Sequence, residues 1–159
     1  MNMDATLAVN EFKQGLQLLH KQCPGNAVPF LRRAVELDRD NPYYLSFLGL
    51  AVAKALGRLA EAEWLCATAV QLKSDDPRLY LNLADVYTEG NRRADACRTL
   101  RAGLQNTGPS ALLLQALGRL QQRRPPMLPF LRRNHFLNRH LGRLRHEVVQ
   151  FCDKHWRPY

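Results

Sequence analysis

Long apolar runs are missing from this sequence. No stretch among its 159 residues approaches the roughly 18 uncharged apolar residues of a membrane-spanning helix, which excludes a transmembrane segment. The first twenty residues carry Asp4, Glu11 and Lys13 and hold no apolar core, so a secretory signal peptide is not expected. These two absences predict a cytoplasmic protein.

Cysteine is scarce. Cys23, Cys66, Cys97 and Cys152 lie far apart and form no Cys-x-x-Cys pair, which excludes the common zinc and thioredoxin-type motifs. We expect reduced, mostly buried thiols, and two disulfides are the alternative for a secreted protein. Cys152 and His155 are three residues apart, but two side chains without a third make neither a metal site nor a catalytic site.

Catalytic motifs are absent as well. The sequence holds no Gly-x-Ser-x-Gly, no phosphate-binding loop, no His-Glu-x-x-His and no cluster of acids in an apolar setting. Its 46% hydrophobic and 23% charged residues are typical of a globular chain with a packed core. We therefore predict a binding protein with no enzyme activity, no cofactor and no metal.

Negative charge is scarce at the C-terminal end. Residues 1–118 carry 13 Lys and Arg against 12 Asp and Glu, whereas residues 119–159 carry 10 against 2, so the last part holds +8 of the net charge of +9. Either these side chains solvate the outer face of a capping helix, or they attract an acidic protein, nucleic acid or lipid surface. A protein is favoured over nucleic acid, because no nucleic-acid-binding motif accompanies the charges. The candidate basic surface comprises Arg132, Arg133, Arg139, Arg143 and Arg145.

Proline recurs regularly in the first three quarters of the chain. Pro42, Pro77 and Pro109 are spaced by 35 and 32 residues, and each follows an Asn, Asp or Gly. Proline suits the first position of a helix, and these preceding residues suit the N-cap. Each period then holds two apolar stripes of helical spacing, as in 42–56 and 59–72, separated by Gly57. The pattern predicts stacked helical hairpins.

These stripes resemble the tetratricopeptide repeat (TPR) in the order of their bulky, small and aromatic residues. The matching residues are Tyr80, Leu83, Ala84, Tyr87, Ala96, Leu100 and Gly103 in the third unit, Leu45, Leu48, Gly49, Ala62 and Ala69 in the second, and Gly15, Leu18, Ala27, Leu31 and Ala34 in the first. A fourth first helix is expected to open at Pro109 with Leu112, Ala116 and Leu120. The resemblance implies an all-α fold, a right-handed α-α superhelix of three TPR-like helical hairpins, a partial fourth and a C-terminal capping helix.

The chain is accordingly divided into three parts. A solenoid is expected over 1–122, with units at about 8–41, 42–76, 77–108 and a partial one at 109–122. A Pro- and Arg-rich connection follows over 123–133, and a basic amphipathic capping helix and tail over 134–159. The segment 129–133 repeats 29–33 letter for letter, Pro-Phe-Leu-Arg-Arg, either by coincidence or as a decayed repeat.

The resemblance also implies a concave groove lined by the first helix of each hairpin. Its candidate partner-binding residues are Tyr43, Ser46, Leu50, Lys54, Arg78, Leu81, Asn82, Asp85 and Glu89, followed by Leu113 and Leu117 of the fourth unit. Some family members bind a C-terminal carboxylate with a clamp of Lys, Asn and Arg. The clamp positions here are Phe12, Leu16, Phe47, Arg78 and Asn82, of which only Arg78 keeps the charge. We expect an apolar peptide or amphipathic helix instead, unless the C-terminal helix covers the fourth unit.

The predicted function is a protein-protein interaction scaffold that binds a peptide or helix of a partner protein in this groove. The alternatives are a binder of an anionic surface through the basic C-terminal segment and a small TPR-type secretion chaperone. Neither the partner's identity nor the oligomeric state follows from the sequence.

Overall fold

The computed structural model describes residues 3–121, and this part of the chain is entirely helical apart from short connections. The predicted connection 123–133 and capping helix 134–159 lie outside the described residues. Seven helices follow one another in the described part: α1 (Met3–His20), α2 (Pro24–Leu37), α3 (Pro42–Leu56), α4 (Leu59–Leu72), α5 (Pro77–Glu89), α6 (Arg93–Thr107) and α7 (Ala111–Gln121). No helix within 3–121 is long and apolar enough to cross a membrane.

The starts of α3 and α5 follow from their sequences. Asn41 accepts the backbone N–H of Tyr43 at 3.1 Å, and Asp76 accepts that of Arg78 at 2.9 Å, so each side chain satisfies an N–H that has no partner inside its helix. Pro42 and Pro77 occupy the first helical position, where a missing N–H costs nothing. At its other end α3 stops at Gly57, whose φ of +64° suits glycine.

Consecutive helices pack as antiparallel hairpins, α1 with α2, α3 with α4 and α5 with α6, and each hairpin packs on the next. Small side chains let the paired helices approach closely: Ala62, Ala69 and Ala96 have no exposed surface. A Cβ added to Gly49 of α3 would lie 2.6 Å from the Cys66 Sγ of α4, so this crossing point requires glycine. The crossing points predicted from the sequence are therefore present.

The fourth unit starts two residues later than the sequence pattern suggested. The helix begins at Ala111, and its first backbone bond joins the Leu114 N–H to the Ser110 carbonyl at 3.0 Å. Pro109 was therefore the wrong start, because Ser110 precedes the helix and Gly108 turns the chain at a φ of +77°. The shift turns Leu113 into the core and leaves Leu112 48% exposed.

Candidate functional site

The first helices of the hairpins lie side by side. α1 contacts α3, α3 contacts α5, and α5 contacts α7, so the faces that point away from α2, α4 and α6 form one continuous surface. We call this surface the groove. It carries most of the partner-binding residues predicted from the sequence, but the structure places them in three different situations.

Ser46 and Asn82 lie below the surface of the groove. The Asn82 side-chain amide donates to the Ser46 hydroxyl at 2.9 Å, and the two residues are 5% and 0% exposed. Leu50 is nearly buried as well, at 8% exposure. Because Ser46 and Asn82 satisfy each other, they hold α3 against α5 rather than face a ligand, which corrects their predicted role.

Tyr43 and Arg78 meet at the junction between the second and third hairpins. The Tyr43 hydroxyl donates to Asp76 at 2.7 Å, and the Arg78 guanidinium donates to both Asp76 oxygens at 3.1 and 2.8 Å. The Lys73 ammonium and the Arg78 guanidinium also lie 5.2 and 5.0 Å from the centre of the Tyr43 ring. The hydrogen bonds from Arg78 hold the pKa of the Asp76 carboxyl well below its usual range. The Arg78 charge is thus already matched within the chain.

The positions of a carboxylate clamp are apolar or already bonded. The Phe12 ring packs on Tyr44 at 4.7 Å and against the edge of Phe47 at 5.6 Å between ring centres. Arg78 is paired with Asp76, and Asn82 with Ser46. Arg78 is thus the one cation at these positions; it is already paired with Asp76, and its side chain is 56% exposed.

Leu81, Lys54, Asp85 and Glu89 remain at the surface of the groove. Leu81 and Asp85 are partly buried on α5, and Glu89 is exposed one turn further on. Burial raises the pKa of the Asp85 carboxyl, Glu89 raises it further, and the positive charges of Lys54 and Arg119 lower it. Charges of alternating sign therefore cross the groove from α3 through α5 to α7, beside an apolar Leu81.

Arg119 is a groove residue that the sequence reading missed. It was counted with the basic C-terminal segment, yet it lies 34 residues after Asp85 and acts on the Asp85 carboxyl. The repeat period, counted from Ala111 instead of Pro109, would have found it. The same correction removes Leu113 from the groove, since its side chain is fully buried and packs at Gly103 of α6. Leu117 is partly buried on α7.

Of the described cysteines, Cys66 is buried, Cys97 is partly buried and Cys23 is exposed, so the expectation of mostly buried thiols is met only in part. Within 3–121, no group of three or more His, Cys, Asp and Glu residues is placed to hold a metal ion. Cys66 is fully buried and its thiol donates to the Ser46 carbonyl at 3.3 Å. Burial raises the pKa of this thiol to about 12, so the thiolate that a nucleophile requires does not form near neutral pH. The five arginines of the predicted basic surface lie outside the described residues.

Several solved structures are similar to this fold. The TPR domain of Arabidopsis OM64 is 19% identical with a TM-score of 0.62, over 74% of this chain and 97% of that domain. The TPR2B domain of yeast Sti1, in its complex with pHsp70, is 23% identical with a TM-score of 0.60, over 77% of this chain and all of the other. The first TPR domain of Spaghetti, bound to the HSP90 peptide SRMEEVD, is 18% identical with a TM-score of 0.62, over 76% and 97%.

Sequence comparison adds nothing to these structural similarities, since no protein-family model and no curated protein matches the chain. The resemblance first read from the spacing of small and bulky residues is confirmed by the paired helices and by the similar structures. The described part of this chain therefore has the fold of a tetratricopeptide-repeat domain.

Proposed function

We propose that this protein is a non-enzymatic interaction scaffold that binds an apolar peptide or an amphipathic helix of a partner protein in its groove. The observation that carries the proposal is the chemistry of the side chains at the clamp positions. Phe12 and Phe47 are apolar, and Arg78 forms an ion pair with Asp76. Leu81, Lys54, Asp85 and Glu89 remain accessible to a ligand.

Similar domains support peptide binding but not the same peptide. Spaghetti binds the HSP90 peptide SRMEEVD, which carries two glutamates, an aspartate and a terminal carboxylate. Such a ligand needs several cations, and the clamp positions of this chain offer one, Arg78, which is already paired with Asp76. A ligand with apolar anchors and a few polar contacts that fix its register fits the groove better. The expected ligand is therefore an apolar or amphipathic segment of a partner protein, and not the acidic C-terminal tail of a chaperone.

Peptide binding measured by fluorescence anisotropy tests this proposal. We expect an array of amphipathic helical peptides to contain ligands and the acidic peptide SRMEEVD to show no saturable binding. Leu81→Asp should weaken the best ligand about 10- to 100-fold, because it places a charge where an apolar anchor binds. Leu72→Asp is the matched control, since Leu72 is 49% exposed at the end of α4, outside the groove. Equal effects of the two variants would contradict the groove as the binding surface.

The dependence of binding on salt concentration distinguishes this function from binding to an anionic surface. The alternative rests on the charge of +8 in residues 119–159, and the triple Arg→Glu variant at Arg139, Arg143 and Arg145 addresses it. Binding through apolar anchors should change little between 50 and 200 mM salt, whereas an interface with 6–10 phosphate contacts loses about 10³- to 10⁵-fold. A partner that is lost both in the arginine variant and at high salt would favour the alternative.

A further inference from the structure

A cleft lies at one end of the first hairpin, where the first turns of α1 and α3 meet the last turn of α2. Its volume is about 460 Å³. Ala8 and Tyr44 form its buried part, and Asp4 and Asp38 stand at its exposed edge. The full set of lining residues is Asp4, Ala5, Ala8, Val9, Leu37, Asp38, Asn41 and Tyr44. The cleft is therefore open to solvent, with an apolar interior and an acidic edge.

Tyr44 brings an unpartnered polar group into this cleft. The residue is 6% exposed, and its ring packs on Phe12 at 4.7 Å between ring centres. Its hydroxyl forms no hydrogen bond with another residue of 3–121, although buried polar groups are normally bonded. No described polar side-chain atom is both fully buried and unpartnered, so the hydroxyl keeps its access to the cleft. Burial raises the pKa of this hydroxyl and the negative charge of Asp38 raises it further, which places the Asp38 carboxylate nearby.

The two carboxylates of the cleft have no cation of their own. Asp38 accepts a hydrogen bond from the Asn41 side-chain amide at 3.0 Å. Within the described part of the chain neither Asp38 nor Asp4 forms an ion pair, and no Lys or Arg lines the cleft. Unmatched charges of one sign at the edge of a concave surface attract a ligand of the opposite sign.

The next junction of the array shows what fills the corresponding space. Tyr43 of α3 lies one repeat, 34 residues, after Val9 of α1. The Tyr43 hydroxyl reaches Asp76 at 2.7 Å, and the Lys73 ammonium lies 5.2 Å from the centre of its ring. A long side chain and a cation, both from this chain, thus complete the second junction.

The first junction has neither of these groups. Val9 is shorter than a tyrosine and is 40% exposed. Asp38 lies 35 residues before Lys73, so a negative charge stands where the second junction has a positive one. The first junction therefore offers apolar surface and hydrogen-bond acceptors, but lacks the long side chain and the cation that would use them.

These features select a cation on an apolar stem. An arginine side chain has both parts, and its five N–H donors form a planar fork that can reach the Asp38 carboxylate and the Tyr44 hydroxyl together. Small-molecule sites usually bury about 70–90% of their ligand, which an open cleft does not do. A side chain that projects from a larger partner fits this shape better.

We propose that this cleft binds an arginine side chain of a partner protein, with the stem against Ala8 and Val9 and the guanidinium at Asp38 and the Tyr44 hydroxyl. Asp4 adds to the negative potential at the edge. The assignment does not rest on the ligand of the groove, since none of the residues that line the cleft belongs to the groove.

NMR titration of the isotope-labelled full-length chain tests the cleft with defined probes. The probes are the tripeptide acetyl-Leu-Arg-Leu-amide and the same peptide with citrulline, which has the shape of arginine but no charge. We expect the arginine peptide to shift the backbone resonances of Ala8, Leu37 and Asn41 saturably, and the citrulline peptide to leave them unchanged. No saturable shift, or equal binding of the two peptides, would overturn the proposal. Free ethylguanidinium that binds as tightly as the arginine peptide would overturn the assignment to a partner protein.

Two substitutions remove the polar contacts one at a time. Asp38→Asn should weaken binding of the arginine peptide roughly 10- to 100-fold, the loss expected for a hydrogen bond to a charged group. Asp40→Asn is the matched control, because Asp40 is exposed two residues away and does not line the cleft. Tyr44→Phe keeps the ring on Phe12 and should weaken binding roughly 2- to 10-fold. Equal effects of Asp38→Asn and Asp40→Asn would contradict the proposed contact.

Val9→Tyr tests the comparison between the two junctions. It places a tyrosine at the position in α1 that Tyr43 holds in α3, so it should fill the cleft and abolish binding. Leu7→Tyr is the control on the same helix, since Leu7 is 38% exposed and does not line the cleft. Both positions are exposed, and circular dichroism should show an unchanged helix content in both variants. Binding that survives Val9→Tyr, or that is lost equally in Leu7→Tyr, would overturn the proposal.

Discussion

The helices α3 and α7 carry the same Leu-x-x-Leu-Gly pattern and yet differ in burial. Leu45 of α3 is 5% exposed, whereas Leu114, the same residue type at the same place in α7, is 53% exposed within the described structure. The difference is the second helix: α4 packs on α3, and no described helix follows α7. A repeat motif therefore sets which face of a helix is apolar, and burial depends on whether the chain supplies a cover.

The largest effect on stability is expected at Leu45, the buried leucine of α3. Leu45→Ala should lower the free energy of unfolding by about 2–5 kcal/mol, because it leaves a cavity between α3 and α4. Urea denaturation followed by circular dichroism measures this. Leu72→Ala, a change at a leucine that is 49% exposed, should cost at most about 0.5 kcal/mol. A cost at Leu45 no larger than that at Leu72 would mean that α4 does not cover α3 as described.

The starts of the helices extend the comparison. α5 begins with a side-chain cap that also binds the preceding hairpin, since Asp76 accepts from Arg78 N and from the Tyr43 hydroxyl. Asp76→Ala should therefore cost about 1–2 kcal/mol near pH 7. Because the folded pKa of Asp76 is depressed, its contribution is complete above the ordinary pKa of about 4 and is lost as the pH falls below it. The two proteins should differ in stability at pH 7 and converge in strong acid.

Asp75→Ala is the control for Asp76, because Asp75 is exposed and adjacent. It should change the stability by at most about 0.5 kcal/mol. A difference between parent and Asp76→Ala that stays constant from pH 7 to the lowest pH at which the protein folds would contradict an ionised, paired Asp76.

The smallest effect is expected at Asp85, where α3, α5 and α7 meet electrostatically. Its folded pKa is raised, chiefly by burial, so the ionised form destabilises the fold above that pKa and the cost is relieved as the pH falls through it. Asp85→Asn should raise the free energy of unfolding by less than about 1 kcal/mol at pH 7. The urea midpoints of the parent protein and of Asp85→Asn should be measured at pH 7 and at pH 4. The difference between the two proteins should be larger at pH 7. A difference in midpoint that is no larger at pH 7 than at pH 4 would contradict a raised pKa of Asp85.

Much of the helical framework is predictable from local chemistry. Asn41 with Pro42 and Asp76 with Pro77 mark helix starts because a cap and a proline act within one turn, and the structure contains both. Ala62 and Ala96 mark crossing points because a larger side chain there would separate two backbones. Pro109 misled because a proline also fits a loop, and the helix begins at Ala111 instead.

The groove was less predictable because exposure depends on residues far away in the sequence. Ser46 and Asn82 are 36 residues apart and were assigned to ligand binding, but a hydrogen bond between them satisfies both. Arg78 was the one charge left at a clamp position, and only the structure shows that Asp76 and Tyr43 engage it. Arg119 was missed because the register of the fourth unit was shifted by two residues.

The sequence by itself determined the all-helical hairpins, their spacing and the small residues at their crossings, because capping, periodicity and steric size act over one or two helical turns. The tertiary structure decided which polar side chains of the groove remain available. That choice depends on the partners brought together by stacking, such as Asp85 with Lys54 and Arg119, whose electrostatic coupling crosses three helices.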